Sequence, residues 1–181
     1  MKTFAKHIVT IALGLAAWPV CAQGPVAAVS NTGGTSAMEW HRNAAYRIKY
    51  KVPVDWTLVK QGNDTISVAT YVSPQQDMLL FIGKRRDAAK TLTPEAALAE
   101  MLQEFQVTGN RIFPTQYNGI KFVETTGSGI VRGHAVQYDA MAANHRGHII
   151  LVYVYASHAA YQSNKQTLEQ VVHSIAPYRG R

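Results

Sequence analysis

The sequence predicts an α+β domain, an antiparallel sheet with helices packed on it. Period-two alternation of apolar and polar residues recurs in consecutive segments, not in turn with helices. Apolar residues at helical spacing occur in two stretches, Leu98 to Phe105 and Tyr161 to Ile175. Between two strand-like runs lies Asn118-Gly119, the strongest short hairpin signal a chain can carry. The chain has 181 residues, 47% of them hydrophobic and 16% charged, which suits one domain with a real core and excludes a disordered chain.

The amino terminus has the form of an export signal. Lys2 and Lys6 precede an apolar run of 11 residues, Ile8 to Trp18, interrupted by Thr10 and Gly14. A signal core takes about 7–15 residues, whereas a membrane-spanning helix takes roughly 20. Pro19 breaks the run, and Val20-Cys21-Ala22 offers small side chains for a cut after Ala22. Residues 1–22 are therefore expected to be removed, leaving a periplasmic or secreted chain with no transmembrane helix. A lipoprotein cut before Cys21 would want a small residue in place of Val20 and Leu in place of Trp18, so it is the less favoured expectation. With the cut after Ala22 the single cysteine departs, and with it any disulfide or thiolate ligand. What remains has 16 basic and 11 acidic residues, a balance of +5 after loss of Lys2 and Lys6. Such a balance favours an anionic partner or simply solubility. Nucleic acid is not expected outside the cytoplasm.

Residues 23–37 are rich in Gly, Ala, Ser and Val and are expected to be a flexible linker. The domain is expected over residues 38–177. Tyr46, Ile48, Tyr50 and Val52 alternate with Arg47, Lys49 and Lys51, which predicts a strand with one buried face that stops at Pro53. Trp56 to Val59 resumes, Gly62-Asn63-Asp64 turns, and Thr65 to Val72 is a β-branched strand. Met78 to Ile82 is apolar throughout, a strand covered on both faces. Thr93-Pro94-Glu95 starts a helix, with a capping hydroxyl, proline in the first turn and an acid at the positive dipole end. Leu98, Met101, Leu102 and Phe105 form its apolar stripe, and Gly109 is expected to end it. A meander follows: Arg111 to Tyr117, Ile120 through Val131, a turn at Arg132-Gly133, a strand through Val136 and Tyr138, a turn near Asn144 to Gly147, and Ile149 to Ala156. That last strand is apolar on both alternating sets, as a central strand should be. Ser157 caps a closing helix with Tyr161, Leu168, Val171, Val172 and Ile175 on one side, and Tyr178 to Arg181 is a basic tail.

This order of elements resembles the PsbP-like family. Val52-Pro53-Val54-Asp55-Trp56 is similar to the family's early Pro-x-Gly-Trp turn, with Asp55 in place of the glycine. Tyr117-Asn118-Gly119-Ile120 is similar to its Asn-Gly hairpin, and Val172-His173-Ser174-Ile175 to its closing helix. The likeness covers Tyr46 to Pro177. It implies an αβα sandwich with a central, mainly antiparallel sheet. It also implies a protein that binds other proteins and brings no catalytic residues to carry over. A cone-shaped α+β fold is the competing architecture, but it places a long helix before the sheet, where here four strands come first.

No catalytic set assembles from the sequence. Gly127-Ser128-Gly129 lacks the spacing of a dinucleotide loop and is followed by a strand, so no helix terminus faces a phosphate. These glycines are expected to permit a bulge or sharp twist. Ser128 has no nucleophile-elbow frame. His145 and His148 flank Arg146-Gly147, which suits a polar hairpin loop better than zinc, since zinc needs more ligands and no cation between them. Lys84-Arg85-Arg86 is expected to be a solvated loop. No metal, cofactor or catalytic residue is therefore expected. The function class is a non-enzymatic binding or accessory protein of the cell envelope that engages a protein or an anionic surface component. A hydrolase with dispersed residues and a carrier of a small apolar ligand remain the alternatives. Arg47, Lys49 and Lys51 are the candidate binding residues, with successive charges about 7 Å apart on one strand face. An anionic partner would relieve their repulsion, but lysines that protect an edge strand would produce the same pattern.

Overall fold

Which runs are apolar on one side and which on both decides the layers of this protein. The computed structural model describes residues 37–61, 66–85, 92–107 and 111–179. The expected signal, the linker up to residue 36, the Gly62-Asn63-Asp64 turn and Gly109 lie outside them. Five strands come first: β1 (Met38–Asn43), β2 (Ile48–Pro53), β3 (Thr57–Gln61), β4 (Ile66–Val72) and β5 (Met78–Arg85). Helix α1 (Pro94–Glu104) precedes the meander β6 (Phe113–Tyr117), β7 (Ile120–Val131), β8 (His134–His145) and β9 (His148–Ala156). Helix α2 (His158–His173) and the two-residue β10 (Ala176–Pro177) close the domain.

The strands form two sheets, both wholly antiparallel. The large one has seven strands in the order β3-β4-β5-β9-β8-β7-β6, and the small one has three in the order β1-β2-β10. β9 is the middle strand of seven, and its two alternating sets enter different cores. Ile150, Val152 and Val154 join Ile48, Tyr50 and Val52 of β2 with Leu168, Val172 and Ile175 around α2. Ile149 and Leu151 join Leu98, Met101, Leu102 and Phe105 of α1. The large sheet is thus covered by α2 with the small sheet on one face and by α1 on the other, a PsbP-like α+β sandwich. Each fully buried leucine or isoleucine stabilises such a core by about 1.5–3 kcal/mol relative to exposure.

Local chemistry sets the element ends. Thr93 Oγ1 accepts from the Ala96 amide at 3.2 Å with Pro94 in the first turn, and Ser157 Oγ accepts from the Ala160 amide at 3.2 Å. Asn118 and Gly119 both take positive φ, 50° and 83°, as a tight hairpin requires. The Asn118 amide also donates to the carbonyls of His173 at 2.8 Å and Ile175 at 3.0 Å, tying the hairpin to the end of α2.

Several expectations need correction. β1 lies at the start of the domain where no strand was expected, so five strands precede α1 rather than four. The β1 residues paired with buried Val52, Tyr50 and Ile48 are Glu39, His41 and Asn43, all polar and with Glu39 exposed, and an apolar alternation therefore never forms. β2 begins at Ile48, because Arg47 turns with φ 53° and closes residues 44–47 through its amide to the Ala44 carbonyl at 3.2 Å. Lys84 and Arg85 belong to β5, paired with Ile150 and Ile149, and not to a loop. Gly127 to Gly129 form no bulge, since the β7–β8 register runs unbroken from Val123 to Val131. Gly129 instead receives the end of α1. The Ile130 amide donates to the Phe105 carbonyl at 2.9 Å, and a Cβ on Gly129 would stand 2.7 Å from that oxygen and from Val107 Cγ2. Both neighbours are held by the helix end, so neither can give way cheaply.

Gly129→Ala should therefore lower unfolding free energy by about 1–3 kcal/mol, the usual cost of overpacking. Ser128→Ala, at an exposed neighbour, should stay within about 0.5 kcal/mol of the parent. Urea denaturation followed by circular dichroism compares the two; equal midpoints would show that the α1 end is free to shift.

Candidate binding surface

The small sheet turns one face to the core, and alternation along β2 separates its inward from its outward side chains up to Val52. Ile48, Tyr50 and Val52 point inward, so Lys49 and Lys51 point outward. The β1–β2 register pairs Trp40 with Lys51 and Arg42 with Lys49, which brings these four side chains to the same outer face. Trp40 is 46% exposed, a large apolar surface for an indole to leave in water. Lys49 Nζ stands 4.6 Å and Lys51 Nζ 5.2 Å from its ring centroid, both inside the range of a cation–π contact. The Arg42 guanidinium lies 5.5 Å from the Tyr178 ring. Tyr178 is held there by its amide, which donates to the Arg47 carbonyl at 2.7 Å.

Of the three residues singled out from sequence, Lys49 and Lys51 share this face, while Arg47 is in the preceding turn. Trp40, Arg42 and Tyr178 were not foreseen. Trp40 and Arg42 sit on a strand without an apolar alternation, and only pairing to β2 reveals their side. The edge-strand alternative also meets a difficulty. β2 is the middle strand of its sheet, flanked by β1 and by β10, and beyond β10 the Lys51 amide donates to Ser174 Oγ at 2.7 Å. Lys49 and Lys51 therefore guard no open edge.

Beneath the face, His41 of β1 meets two tyrosines. Tyr71 OH lies 3.2 Å from His41 Nδ1 and 3.2 Å from Tyr50 OH, and the imidazole stacks on the Tyr50 ring at 6.0 Å. Burial pushes both phenols above their ordinary range, which keeps them neutral hydrogen-bonding groups. This network gives polar β1 its seat and holds Trp40 in register.

A second polar cluster lies under α2. Glu124 and Asp139 are 7% and 6% exposed on the large sheet. Tyr117 OH donates to Glu124 Oε2 at 2.7 Å, and Tyr161 OH donates to both Asp139 oxygens at 2.8 Å. The His173 ring stacks on Tyr117 at 4.4 Å. The arrangement fastens α2 to the sheet by charge-assisted hydrogen bonds. His145 and His148 face each other across the Arg146-Gly147 turn, at the opposite end of β8 from His134. Among the described residues no group of three His, Cys, Asp or Glu is placed to hold a metal.

Burial, followed by the nearby Glu124 and Glu169 charges, raises the Asp139 carboxyl above its ordinary 3.8, against the lowering effect of the Tyr161 bond and His173. The folded chain then holds a proton that the unfolded chain would release. The resulting stability is complete below about pH 4 and is lost as pH rises through the higher folded value. Asp139→Asn keeps an acceptor for Tyr161 and removes the charge. Its melting temperature relative to the parent should rise as pH increases from about 4 through the raised folded value and level off above it; a difference independent of pH would mean that Asp139 titrates normally.

No family model and no curated protein matches the sequence. Solved structures share the fold. Cyanobacterial PsbP (CyanoP) from Synechocystis sp. PCC 6803 superposes with a TM-score of 0.57 at 13% identity, over 86% of this chain and 100% of that one. PA94 from Pseudomonas aeruginosa, a protein of unknown function described as a putative regulator, gives 0.48 at 15% identity over 79% and 99% of the two chains. LpqN of Mycobacterium tuberculosis, involved in cell envelope biogenesis, gives 0.47 at 12% identity over 79% and 91%.

Proposed function

We propose that this PsbP-like domain is an exported, non-enzymatic binding or accessory protein that engages an anionic component of the cell envelope through the outer face of its small sheet. The observation that carries the reading is the placement of two ammonium groups over one exposed indole, on a strand where they protect no edge. Desolvated by a partner, such a cation–aromatic cluster gains strength, whereas in water it contributes little. The amino-terminal export pattern and the net positive charge of the chain agree with an envelope location and an anionic counterpart. Among the described residues no helix is long and apolar enough to cross a membrane.

Charge reversal tests the surface. Envelope fractions should retain the parent chain at low salt and release it as salt rises, because screening weakens exposed charges. Lys49→Glu with Lys51→Glu should abolish the low-salt retention while leaving the circular dichroism spectrum unchanged. Equal retention of parent and variant would remove this face from the binding reaction. Export has its own check: intact mass of the chain recovered from the envelope of its host should begin at Gln23. An acylated Cys21 would change the mode of attachment, and an uncut cytoplasmic product would defeat the envelope assignment.

A further inference from the structure

We infer that the anionic component is the surface of a lipid bilayer bearing anionic headgroups, met by Trp40, Lys49 and Lys51 together. This rests on the reading above that the outer face binds an anion, and it names which one. Three features of the face favour a bilayer over an acidic protein.

The first is the kind of cation available. Arg42, whose planar fork would suit a fixed carboxylate, is engaged over the Tyr178 ring. The two charges beside Trp40 are lysines, compact and strongly hydrated on flexible stems. No ion pair of either lysine is seen among the described residues. Point charges on long stems suit a field of mobile phosphates, and their methylene stems can lie along apolar surface while the ammonium groups stay in water.

The second is the apolar pattern. An indole with an apolar body and a polar N–H is at home at headgroup level. Val54, directly after β2, is 57% exposed, the most exposed of the large apolar side chains described. It is not a loose loop residue, because its amide donates to the Ala37 carbonyl at 2.9 Å. Val54 lies just beyond the Met38–Pro53 pair, two positions from the Trp40–Lys51 pair at that end of the small sheet.

The third is the side of the sheet that the acid takes. Glu39, the acidic residue of β1, alternates to the inner side with His41, close enough to Tyr71 to act on its phenol. Arg42, Lys49 and Lys51 share Trp40's side of the pair, so its charged neighbours there are cationic, and an anionic leaflet attracts each such cation by roughly fivefold in partitioning.

The test follows Trp40 itself. The full chain carrying Trp18→Phe emits from Trp40 and from Trp56, which is 8% exposed. Vesicles of phosphatidylglycerol with phosphatidylethanolamine, brominated on their acyl chains, should quench Trp40 and shift its emission to the blue, while phosphatidylcholine vesicles should do neither. Lys49→Gln with Lys51→Gln should weaken this response by about 30-fold at low salt, and the charge-reversing Lys49→Glu with Lys51→Glu by more, so that a folding defect in one variant does not decide the matter. Trp40→Phe should abolish the signal. Unchanged Trp40 emission with anionic vesicles overturns the inference, as does equal quenching by neutral lipid or in the charge-reversed chain. If emission is unchanged but envelope retention still depends on Lys49 and Lys51, the anion is an acidic protein or polysaccharide and the proposed function stands. Loss of neither signal on charge reversal removes both.

Discussion

The two-sided apolar character of β9 is the constraint on which the rest of the structure depends. A strand with isoleucine, leucine and tyrosine on one alternating set and isoleucine and valine on the other cannot lie on an open face. It must be central, and each side must be covered by something else in the chain. α1 covers one side, and Phe105 packs edge-on against Tyr138, Tyr153 and Tyr155 there. The other side is too wide for α2 alone, and the small sheet completes it with Ile48, Tyr50 and Val52. Every later feature, including which lysines face solvent, follows from that demand.

The outer face of the small sheet is a by-product of this arrangement with its own chemistry. β2 gives the alternate residues Ile48, Tyr50 and Val52 to the core, so Lys49 and Lys51 between them turn to the other side. Lysine there costs nothing in packing, but tryptophan on β1 is another matter. Trp40 is 46% exposed and meets both ammonium groups.

The buried carboxylates show the opposite economy. Glu124 and Asp139 are enclosed, and tyrosine hydroxyls rather than basic side chains satisfy them. A neutral donor cannot offset a buried charge as a cation does, and this is why Asp139 holds its proton more tightly than usual. The cluster fixes the angle of α2 at the cost of sensitivity to pH, and it lies on the side of the sheet that also carries β2. The lattice of hydrogen bonds from Asn118 to the end of α2 pins the same helix from the other direction.

By itself the sequence determined the local and periodic features of this protein. The helix stripes of α1 and α2, their Thr93 and Ser157 caps, the Asn118-Gly119 hairpin and the central strand β9 are all written in residues near one another along the chain, where steric and hydrogen-bonding preferences act directly. The alternation in β2 likewise determined that Lys49 and Lys51 share a side. Only the tertiary structure decided the rest, because it depends on residues far apart in sequence. β1 has no alternation to betray it, and is a strand only because β2 offers a partner and Tyr50 and Tyr71 receive His41. Arg47 left the strand because the turn before it required a left-handed residue. Gly129 is glycine not for its own backbone angles but because the end of α1 comes to rest on it. Trp40 became part of the lysine face by register alone. Pairing across strands and contact between layers are set by the whole chain's burial, and no window of neighbouring residues contains that information.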